Sequence, residues 1–394
     1  MKKILILSFY YQPDLCAGSF RTTALVKSLN KTDLDLDIEV ITTAPNRYSS
    51  FREKVKVFEI VDGVRIHRIV IPMHNSGMFD QSLAYISYYR QAIKIAKKSD
   101  YDLIFATSSR LFTAFLGARI ARKKRVALYL DIRDIFVDTI FGILPKALGI
   151  LSISWFNLIE RYTFSTAKHI NLVSEGFLRY FEEKKIDASF SFFTNGIDKE
   201  FDDSTNIISY DTPPNKQLTI LYAGNIGEGQ GLHKIIPALA GRLGKRANFL
   251  VIGDGSQKEK FKNSIANMGL DNVELRDPIN RKQLIDEYVK ADVLFLHLNN
   301  NPAFKKVLPS KLFEYAAFNK PIFAGLSGYS ADFIHAEISD CEVFMPCDID
   351  DAVQKFDRLN LAVEPRREFI EKFRRETIMT MMAANILLVL NDNA

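Results

Sequence analysis

Two series of short apolar runs, each alternating with longer amphipathic stretches, constrain the fold of this chain more than any other feature. In the first series, apolar runs such as 3–9, 38–42 and 103–107 alternate with helical patterns such as 20–29. The same alternation begins again at residue 218. Strands that alternate with helices build parallel sheets, because each helix returns the chain to the edge where the next strand starts. The sequence therefore predicts an α/β fold with two doubly wound parallel sheets.

The polar stretch between the two series contains Pro213-Pro214 and predicts a linker at 199–217. A Rossmann-like N-terminal domain is then expected at 1–198 and a second one at 218–375. In open α/β sheets of this kind, ligands bind beyond the carboxyl ends of the strands, so the two domains are expected to face a cleft. Within the first domain, apolar runs on either side of Asp62-Gly63 predict a β-hairpin.

The chain carries its charge unevenly. The formal net charge is +5, but residues 1–195 hold 28 Lys and Arg against 19 Asp and Glu, and residues 196–394 hold 24 against 28. The basic half includes the cluster 119–125. Such a face can attract nucleic acid, an anionic membrane or a phosphorylated substrate, although a solvated surface is the commoner reason for one basic run.

The cysteine count and the apolar runs indicate the compartment. Three cysteines form no CxxC pair, and a sparse odd count favours a reducing cytoplasm. The apolar run 4–11 is short and is followed by Pro13 and Asp14, so it predicts a buried first strand and not a signal peptide. No apolar stretch has the length of about eighteen residues that a transmembrane helix needs. We expect a cytoplasmic protein.

The segment around Pro309-Ser310 predicts the start of a helix that could bind a nucleotide diphosphate. A helix start presents free backbone N–H groups, which suit a phosphate. Lys311 adds a full positive charge, and Glu314, three residues later on the same face, can accept hydrogen bonds from a ribose diol. An ordinary capped helix with a surface Lys–Glu pair explains the same residues equally well.

Glycine-rich loops follow three predicted strands. The loop 224–231 contains four glycines, Gly224 among them, which permit a close approach of the backbone to a phosphate or sugar. It lacks the Lys-Ser/Thr of an ATP-binding P-loop. Gly253 follows the next strand, and Gly18 lies in the loop after the first strand of the chain. Neither loop is GxGxxG, so a dinucleotide is not expected, and a plain turn explains each one alone.

Charged residues end a strand of the first domain at Asp131-Ile132-Arg133-Asp134. By topology they point into the cleft. Carboxylates there could position an acceptor hydroxyl or take its proton, and Arg133 could hold a phosphate. A local ion-pair network is an equally good explanation of these charges.

The remaining candidate features are weaker. Six scattered histidines and the absence of HExxH or clustered carboxylates predict no metal site. His297, which ends a predicted strand opposite the helix at 311–318, is the histidine of most interest. The apolar stretch 141–156 could lie in a membrane surface beside the basic cluster, or it could be a buried helix, which is the commoner case.

These motifs together resemble glycosyltransferase family 4, whose members are retaining enzymes with the GT-B fold of two Rossmann-like domains. The resemblance covers nearly the whole chain, and the subgroup it indicates assembles bacterial O-antigen and capsule repeat units. It also implies that 376–394 is a helix crossing back to the first domain. The segments that carry the resemblance are Tyr11-Gln12-Pro13 with Gly18, the 131–134 motif, Asn195-Gly196-Ile197-Asp198, the loop 224–231, and Pro309-Ser310-Lys311 with Glu314-Tyr315.

The resemblance implies a UDP-sugar donor, usually N-acetylated, and an undecaprenyl-diphosphate-linked saccharide acceptor at the cytoplasmic face of the inner membrane. It implies no cofactor, no metal requirement and no nucleic-acid partner. Asp131, Lys311 and Glu314 are the expected catalytic residues, and Arg133 and Asp134 are expected to bind the acceptor. The residues expected to bind the donor are Gly18, Gly224, Asn225, Gln230, Gly253, Ser310, Lys311 and Glu314.

The chain departs from the family pattern in two places. Lys306 occupies the position of the first glutamate of the family's E-x7-E motif, of which Glu314 matches the second. Asn225 and Gln230 stand where many members have Arg and Lys. Backbone N–H groups and Lys311, with Arg133 as a further candidate, must then meet the charge of the donor diphosphate.

Two other functions fit the same fold. A UDP-sugar 2-epimerase would need acidic and histidine groups around the sugar, which the scattered histidines disfavour. A sugar-nucleotide-binding partner without catalysis is suggested by Lys306.

Overall fold

The computed structural model of the chain describes residues 1–14, 16–32, 34–45, 55–72, 78–108, 111–135, 146–202, 217–362 and 365–392. Of residues 78–82, 111, 146–153 and 202 it describes the backbone alone. The chain forms two compact units. Unit 1 contains residues 1–195 and 375–394, and unit 2 contains residues 196–374. Most of the linker predicted at 199–217 lies outside the described residues.

Unit 1 is built on an eight-stranded sheet with the order β3-β4-β2-β1-β5-β6-β7-β8. All neighbouring strands are parallel except β3 and β4, which form the hairpin predicted around Asp62-Gly63. The central strands β1, β5 and β6 are buried on both faces, which their runs of Ile, Leu and Phe allow. The strands are β1 Lys2–Leu7, β2 Leu36–Thr43, β3 Phe58–Val61, β4 Val64–Ile69, β5 Leu103–Thr107, β6 Ala127–Ile132, β7 His169–Leu172 and β8 Ser189–Ser191.

Helices cover this sheet, and one of them comes from the far end of the chain. α3 packs on β5 and β6, and the C-terminal helix α14 packs on α1 within unit 1. The helices of this unit are α1 Ala17–Asn30, α2 Met78–Ala96, α3 Leu111–Lys124, α4 Lys146–Phe164, α5 Leu178–Glu183 and α14 Arg375–Asn391.

Unit 2 is built on a six-stranded parallel sheet with the order β11-β10-β9-β12-β13-β14. The chain reverses its direction of strand addition between β9 and β12, so the site of ligand binding is expected beyond the carboxyl ends of these strands. The strands are β9 Leu218–Asn225, β10 Ala247–Asp254, β11 Val273–Arg276, β12 Val293–His297, β13 Ile322–Gly325 and β14 Cys341–Phe344.

The core of unit 2 joins the sheet to its helices. Ile220, Phe249 and Phe295 from three strands pack against Ile235 and Leu239, which lie one helical turn apart. The helices are α6 Lys199–Asp202, α7 Leu232–Leu243, α8 Lys258–Asn267, α9 Arg281–Lys290, α10 Ser310–Ala317, α11 Tyr329–Glu337, α12 Ile349–Phe356 and α13 Arg367–Lys372.

The apolar pattern of residues 366–390 predicts one long helix, but the structure has two helices there, α13 and α14. The helical pattern at 366–390 is interrupted between α13 and α14, where the N–H of Ile197 donates to the carbonyl oxygen of Phe373 at 2.7 Å and Ile197 pairs with Arg374 in a parallel bridge. Because that backbone is held in an extended pairing, it cannot continue the helix. The strands β8 and β14 and the helices α5, α6, α11 and α12 were not predicted. None of the described helices is long and apolar enough to cross a membrane.

Candidate functional site

The candidate site of unit 2 lies where β9, β10 and β12 end and α10 begins. α10 begins at Ser310 because Pro309, its N-cap, has extended backbone angles (φ −69°, ψ 132°) and supplies no side-chain cap. The first backbone N–H groups of an α-helix lack partners within the helix. The partial positive charge of the helix start is therefore available to an anion.

Lys311, in the first turn of α10, lies over Gly224 at the end of β9. A Cβ atom on residue 224 would come within 2.7 Å of Lys311 Cε and 3.3 Å of Lys311 Nζ. Lys311 Nζ also lies 3.7 Å from a carboxylate oxygen of Glu314, and the two side chains are 21% and 18% exposed. The fold thus places a half-buried cation between the glycine loop and the helix start.

The carboxylate of Glu314 has a partner that the sequence did not reveal. The hydroxyl of Tyr288, which is fully buried in α9, lies 3.4 Å from Glu314 Oε2. Burial raises the pKa of Tyr288 well above that of a free phenol, so the hydroxyl stays protonated and donates to the carboxylate. Tyr288 therefore forms a hydrogen bond with one of the two carboxylate oxygens of Glu314.

A second tyrosine ties α10 to the sheet. The N–H of Ala223, in β9, donates to the hydroxyl oxygen of Tyr315 at 3.2 Å. Tyr315 is fully buried, and its ring meets that of Tyr288 edge-on with centroids 5.5 Å apart. Since Tyr315 and Glu314 are neighbours on one helix, this contact fixes the start of α10 against the end of β9.

The glycine loop 224–231 is folded by its own side chains. Asn225 Nδ2 donates to Gln230 Oε1 at 2.8 Å, and the N–H of Gly227 donates to the same oxygen at 3.3 Å. The hydroxyl of Tyr222 donates to the carbonyl oxygen of Asn225 at 2.7 Å. Asn225 and Gln230, both predicted to bind the donor, therefore bond to each other in this structure.

His297 binds the backbone of the glycine loop 224–231 through one ring nitrogen and that of Cys347 through the other. Cys347 donates its backbone N–H to His297 Nε2 at 3.0 Å, so Nδ1 carries the proton and donates to the carbonyl oxygen of Gln230 at 2.6 Å. Burial lowers the pKa of His297 to about 4. Both ring nitrogens are engaged, which gives His297 a structural role in supporting the loop.

Asn299, two residues beyond β12, also supports the loop. Its N–H donates to the carbonyl oxygen of Gly229 at 2.8 Å, and its Nδ2 donates to that of Glu228 at 3.1 Å. A Cβ atom on Gly231 would come within 3.2 Å of the Asn299 side chain, and φ there is +60°, a region that favours glycine. These hydrogen bonds from Asn299 thus fix the conformation of the loop.

Gly253 lies directly beside Gly224 in the parallel pair of β9 and β10. A Cβ atom on Gly253 would stand 1.9 Å from the carbonyl oxygen of Gly224, which excludes every other residue at this position without a backbone shift. Gly253 is thus required for the close approach of the two strand ends.

In unit 1, Asp131 is the centre of a buried ion pair. Arg21, from α1, donates from Nε to Asp131 Oδ2 at 2.9 Å and from Nη2 to Oδ1 at 2.8 Å. Asn171 Nδ2 also donates to Oδ1 at 2.8 Å. Both Arg21 and Asp131 are 1% exposed. This geometry favours the ion-pair explanation of Asp131 over the predicted catalytic role, because both carboxylate oxygens are engaged and inaccessible.

Arg133 and Gly18 lie together in the same unit. A Cβ atom on Gly18 would come within 2.5 Å of Arg133 Nη1, so the guanidinium rests on the first turn of α1. Within the described residues, Arg133 Nε makes no hydrogen bond. Burial lowers the pKa of the Arg133 guanidinium. Asp134, by contrast, is exposed.

The structure thus brings the predicted donor-binding residues of unit 2 into one place and pairs Gly18 with Arg133 in unit 1.

Sequence reasoning missed Tyr288, Asn299 and Arg21. A buried tyrosine or arginine in an amphipathic helix has no distinguishing sequence pattern, so only the folded structure reveals its partner. Among the described residues, no group of three or more His, Cys, Asp or Glu side chains could hold a metal ion.

Two family profiles match consecutive parts of the chain. The profile described as "Glycosyl transferase 4-like domain" matches residues 19–192, and that described as "Glycosyl transferases group 1" matches residues 203–376. Together they cover most of the chain. The chain belongs to glycosyltransferase family 4.

A curated relative of this glycosyltransferase is the putative colanic acid biosynthesis glycosyl transferase WcaI of Escherichia coli. It is 28% identical over 334 residues, which make up 79% of this chain and 80% of WcaI.

Solved structures of other glycosyltransferases share the fold. Sucrose-phosphate synthase from Thermosynechococcus elongatus has a TM-score of 0.74 at 12% identity, with 100% of both chains covered. Anabaena HepE in complex with UDP-glucose has a TM-score of 0.68 at 15% identity, covering 98% of this chain and 99% of HepE. This glycosyltransferase therefore has the GT-B fold that the sequence predicted.

Proposed function

We propose that this glycosyltransferase is a retaining enzyme that moves an N-acetylated sugar from UDP to a lipid-diphosphate-linked glycan during assembly of a cell-surface polysaccharide, of the O-antigen or capsule type. The name of the relative WcaI, which refers to colanic acid biosynthesis, supports the pathway class. The UDP-glucose in the HepE complex, a protein of the same fold, supports the donor class.

The contact between Lys311 and Gly224 carries the proposal. A diphosphate placed at this point meets the free N–H groups of α10, the ammonium of Lys311 and the backbone of the glycine loop. These donors lie where charge accumulates as the bond from the sugar to the diphosphate breaks. Fixed donors of this kind stabilise a transition state because they need no reorganisation during the reaction. Ser310, as the first residue of the helix, adds its hydroxyl and N–H.

Glu314 is proposed to accept hydrogen bonds from the two ribose hydroxyls. Its side chain is 18% exposed, and Tyr288 already occupies one oxygen at 3.4 Å. A carboxylate held in this way presents its remaining lone pairs in a fixed direction. Since hydrogen bonds to a charged group contribute about 1.5–3 kcal/mol each, they can anchor the nucleoside while the sugar reacts.

The proposed chemistry is the retaining route that the family resemblance implies. The bond between the sugar C1 and the diphosphate oxygen breaks with its electron pair moving to that oxygen, which Lys311 stabilises. The acceptor hydroxyl forms its bond to C1 on the same face, and its proton passes to the departing phosphate. This route retains the anomeric configuration and needs no carboxylate nucleophile, so Asp131 is free to keep its ion pair with Arg21.

The acceptor's diphosphate is proposed to meet Arg133. Its guanidinium lies on the first turn of α1 beside Gly18, and its Nε makes no hydrogen bond within the described residues. Guanidinium groups bind phosphate oxygens well because their donors match the geometry of two oxygens at once. Asp134, exposed beside it, is proposed to receive an acceptor hydroxyl.

A lipid-linked acceptor requires a membrane contact, and unit 1 has a suitable surface. Trp155 and Leu158 on α4 are 55% and 67% exposed, and Leu83 and Ile86 on α2 are 61% and 44% exposed. Phe112 of α3 links the two helices. Its ring centroid lies 6.2 Å from that of Trp155 and 5.2 Å from that of Tyr85.

Basic side chains border this apolar surface. The Arg122 guanidinium lies 4.4 Å from the centroid of the Tyr162 ring, which in turn packs on Phe115. Arg119 is exposed on the same helix, α3, which carries no acidic residue. Apolar side chains flanked by Lys and Arg bind the interface of anionic bilayers. Residues 141–145 of the predicted membrane segment 141–156 lie outside the described residues.

Nucleotide binding tests the donor site. We expect calorimetry to give selective binding of UDP over GDP and ADP. Glu314→Ala should lose at least about tenfold in UDP affinity, since a charged hydrogen bond is removed. Lys311→Met should lower kcat by about 10²–10³-fold, the cost of removing one transition-state donor. Lys262→Met, at an exposed lysine of α8, is the matched control and should change neither quantity.

Contrary results would separate the parts of the proposal. A preference for GDP would keep the fold and overturn the donor. Unchanged UDP binding by Glu314→Ala would overturn the ribose contact.

Vesicle flotation tests the membrane contact. We expect the wild type to float with phosphatidylglycerol vesicles at low salt and less at high salt. The double change Trp155→Ser and Leu158→Ser should abolish flotation, whereas Leu388→Ser, at a residue of α14 that is 64% exposed, should not. A wild-type protein that stays in solution at both salt concentrations would show that the membrane contact is wrong.

A further inference from the structure

The edge strand β3 of unit 1 and the residue before it expose four apolar side chains on either side of Glu59. Val57, Phe58, Ile60 and Val61 are 63%, 47%, 61% and 37% exposed. β3 ends the strand order of the sheet, and within the described residues no strand pairs with its outer side. Exposed apolar edge strands are rare in soluble proteins, because their free N–H and C=O groups pair readily with another chain.

The hairpin defines which backbone groups face outward. The N–H of Arg68 donates to the carbonyl oxygen of Val57 at 2.8 Å, so Val57 uses its backbone groups toward β4. Hydrogen-bonded pairs alternate along an antiparallel ladder. Glu59 and Val61 therefore also face β4, and Phe58 and Ile60 turn their N–H and C=O groups to the free edge.

The sequence of this edge is self-complementary in one register. If two copies pair antiparallel about Glu59, Phe58 lies opposite Ile60 of the partner subunit, and Val57 lies opposite Val61 of the partner subunit. Beyond the ends of this ladder, Lys56 then lies near Asp62 of the partner subunit, which is the first residue of the hairpin turn and has a φ of +51°. Phe58 and Ile60 would form the hydrogen-bonded pairs, as their free backbone groups require.

Neighbouring registers lose this match. Two residues can form a hydrogen-bonded pair across this edge only if both turn their N–H and C=O groups toward it. In a symmetric dimer the two-fold axis must therefore pass through a residue, and a change of register moves the axis from Glu59 to another residue. Centred on Ile60, the pairing puts Phe58 opposite Asp62 and Glu59 opposite Val61. Centred on Phe58, it puts Lys56 opposite Ile60. Apolar pairs and opposite charges across strands are stabilising, whereas these mixed pairs are not.

The central glutamate does not oppose the pairing. Glu59 Oε1 lies 2.5 Å from Nη1 of Arg68, which is 3% exposed. Its charge is therefore compensated within its own subunit, and two such pairs can meet at the axis.

We propose that β3 is a homodimer interface in which a second copy of this chain pairs antiparallel about Glu59, joining two eight-stranded sheets into one. The pairing is independent of the proposed transferase activity. A short edge ladder with few flanking contacts belongs to the small end of protein interfaces, so the dimer is expected to dissociate at low concentration.

Sedimentation equilibrium over a concentration series tests the proposal. We expect the wild type to show a reversible monomer–dimer equilibrium with a dissociation constant in the micromolar range, the weak end of protein interfaces. The symmetric dimer contains two pairs between positions 56 and 62. Lys56→Asp turns each pair into two carboxylates, and Asp62→Lys turns each pair into two ammonium groups. Each variant alone should be monomeric, with at least about a tenfold weaker association.

Mixing the two variants gives the decisive result. In a mixed dimer, Asp at position 56 meets Lys at position 62, and the native Asp62 meets the native Lys56, so an equimolar mixture should dimerise again. Thermal unfolding of each variant checks that Asp62→Lys, at a residue with φ +51°, still folds. Lys262→Asp, far from β3 in the sequence and in unit 2, should leave dimerisation unchanged.

A wild type that is monomeric throughout the series would overturn the proposal and leave this edge to a different partner. A dimer that survives Lys56→Asp and Asp62→Lys, or fails to return on mixing, would overturn the register.

Discussion

Lys311 and Gly224 are in direct contact, with Lys311 Cε 2.7 Å from the position that a Cβ atom on residue 224 would occupy. Two motifs that are distant in the sequence therefore form one cation-bearing surface. This contact, together with a φ of +153°, favours glycine at residue 224. A larger residue would push the ammonium away from the helix start, where the diphosphate is proposed to bind.

We expect Gly224→Ala to lower kcat/KM by about 10- to 100-fold, a part of the loss that removal of a transition-state donor causes. The flexible end of Lys311 can move, but φ at residue 224 is +153°, which strains any residue other than glycine, so some loss of stability is expected beside the loss of activity. Steady-state kinetics and circular dichroism measure the two effects. Gly241→Ala is the matched control, because a Cβ atom there would make ordinary contacts at 3.6 and 3.7 Å inside α7.

Gly241→Ala should leave the kinetics unchanged and raise helix stability by about 0.5–1 kcal/mol. If Gly224→Ala keeps full activity, Lys311 does not act from the position seen in this structure.

Tyr288 is expected to act through Glu314. Tyr288→Phe removes the donor at 3.4 Å and with it about 1 kcal/mol, so UDP should bind about fivefold more weakly. A merely structural loss would weaken 2′-deoxy-UDP equally. If Tyr288 orients the carboxylate for the ribose diol, the preference for UDP over 2′-deoxy-UDP should fall as well, as calorimetry with both nucleotides would measure.

Tyr222→Phe serves as the control for this measurement. It removes a hydroxyl that bonds to the carbonyl oxygen of Asn225 in the glycine loop. It should leave the ratio of the two affinities unchanged, whatever it does to binding itself. An unchanged ratio in Tyr288→Phe would contradict the positioning role.

The architecture followed from the sequence because hydrophobic periodicity and glycine spacing are local signals. Alternating apolar runs predicted both sheets, and Asp62-Gly63 predicted the hairpin. The segment from Pro309 to Glu314 predicted the helix start that the structure has. Parallel-sheet topology then places the strand ends at one edge of the sheet, where the structure has Gly224 beside Gly253.

The partners of individual side chains did not follow from the sequence. Asp131 looked like a cleft carboxylate until the structure placed Arg21 against it, and Asn225 and Gln230 looked available until they were found bonded to each other. Such pairings depend on three-dimensional packing between distant elements, which no local pattern encodes. The break between α13 and α14 was missed for the same reason, because it depends on a pairing with Ile197.

His297 should make the folded state less stable in acid. Its pKa is about 4 in the folded protein, whereas a histidine in an unfolded chain has a pKa near 6.5. Only the unfolded state takes up the proton between these values, so the contribution is fully present above pH 6.5 and is lost as the pH falls to 4. The loss amounts to about 3 kcal/mol.

Denaturant unfolding of wild type and His297→Gln at pH 7 and pH 5 measures this effect. The variant should be less stable at pH 7, since it loses the bonds to Gln230 and Cys347, but its stability should depend less on pH. His335→Gln, at an exposed residue of α11, should keep the wild-type pH dependence. Equal pH dependence in wild type and His297→Gln would contradict the assignment.

Asp131→Asn distinguishes the structural from the catalytic explanation of this residue. Removing one partner of a buried ion pair leaves Arg21 uncompensated, and the expected cost is about 3–5 kcal/mol in the free energy of unfolding. Folded molecules should nevertheless turn over near the wild-type rate, as active-site titration with kinetics at low temperature would measure. Asp134→Asn, three residues along and exposed, should change stability by less than about 0.5 kcal/mol and instead raise the KM for the acceptor. If Asp131→Asn is stable but inactive, the carboxylate takes part in the reaction, and the ion pair with Arg21 must open for it to do so.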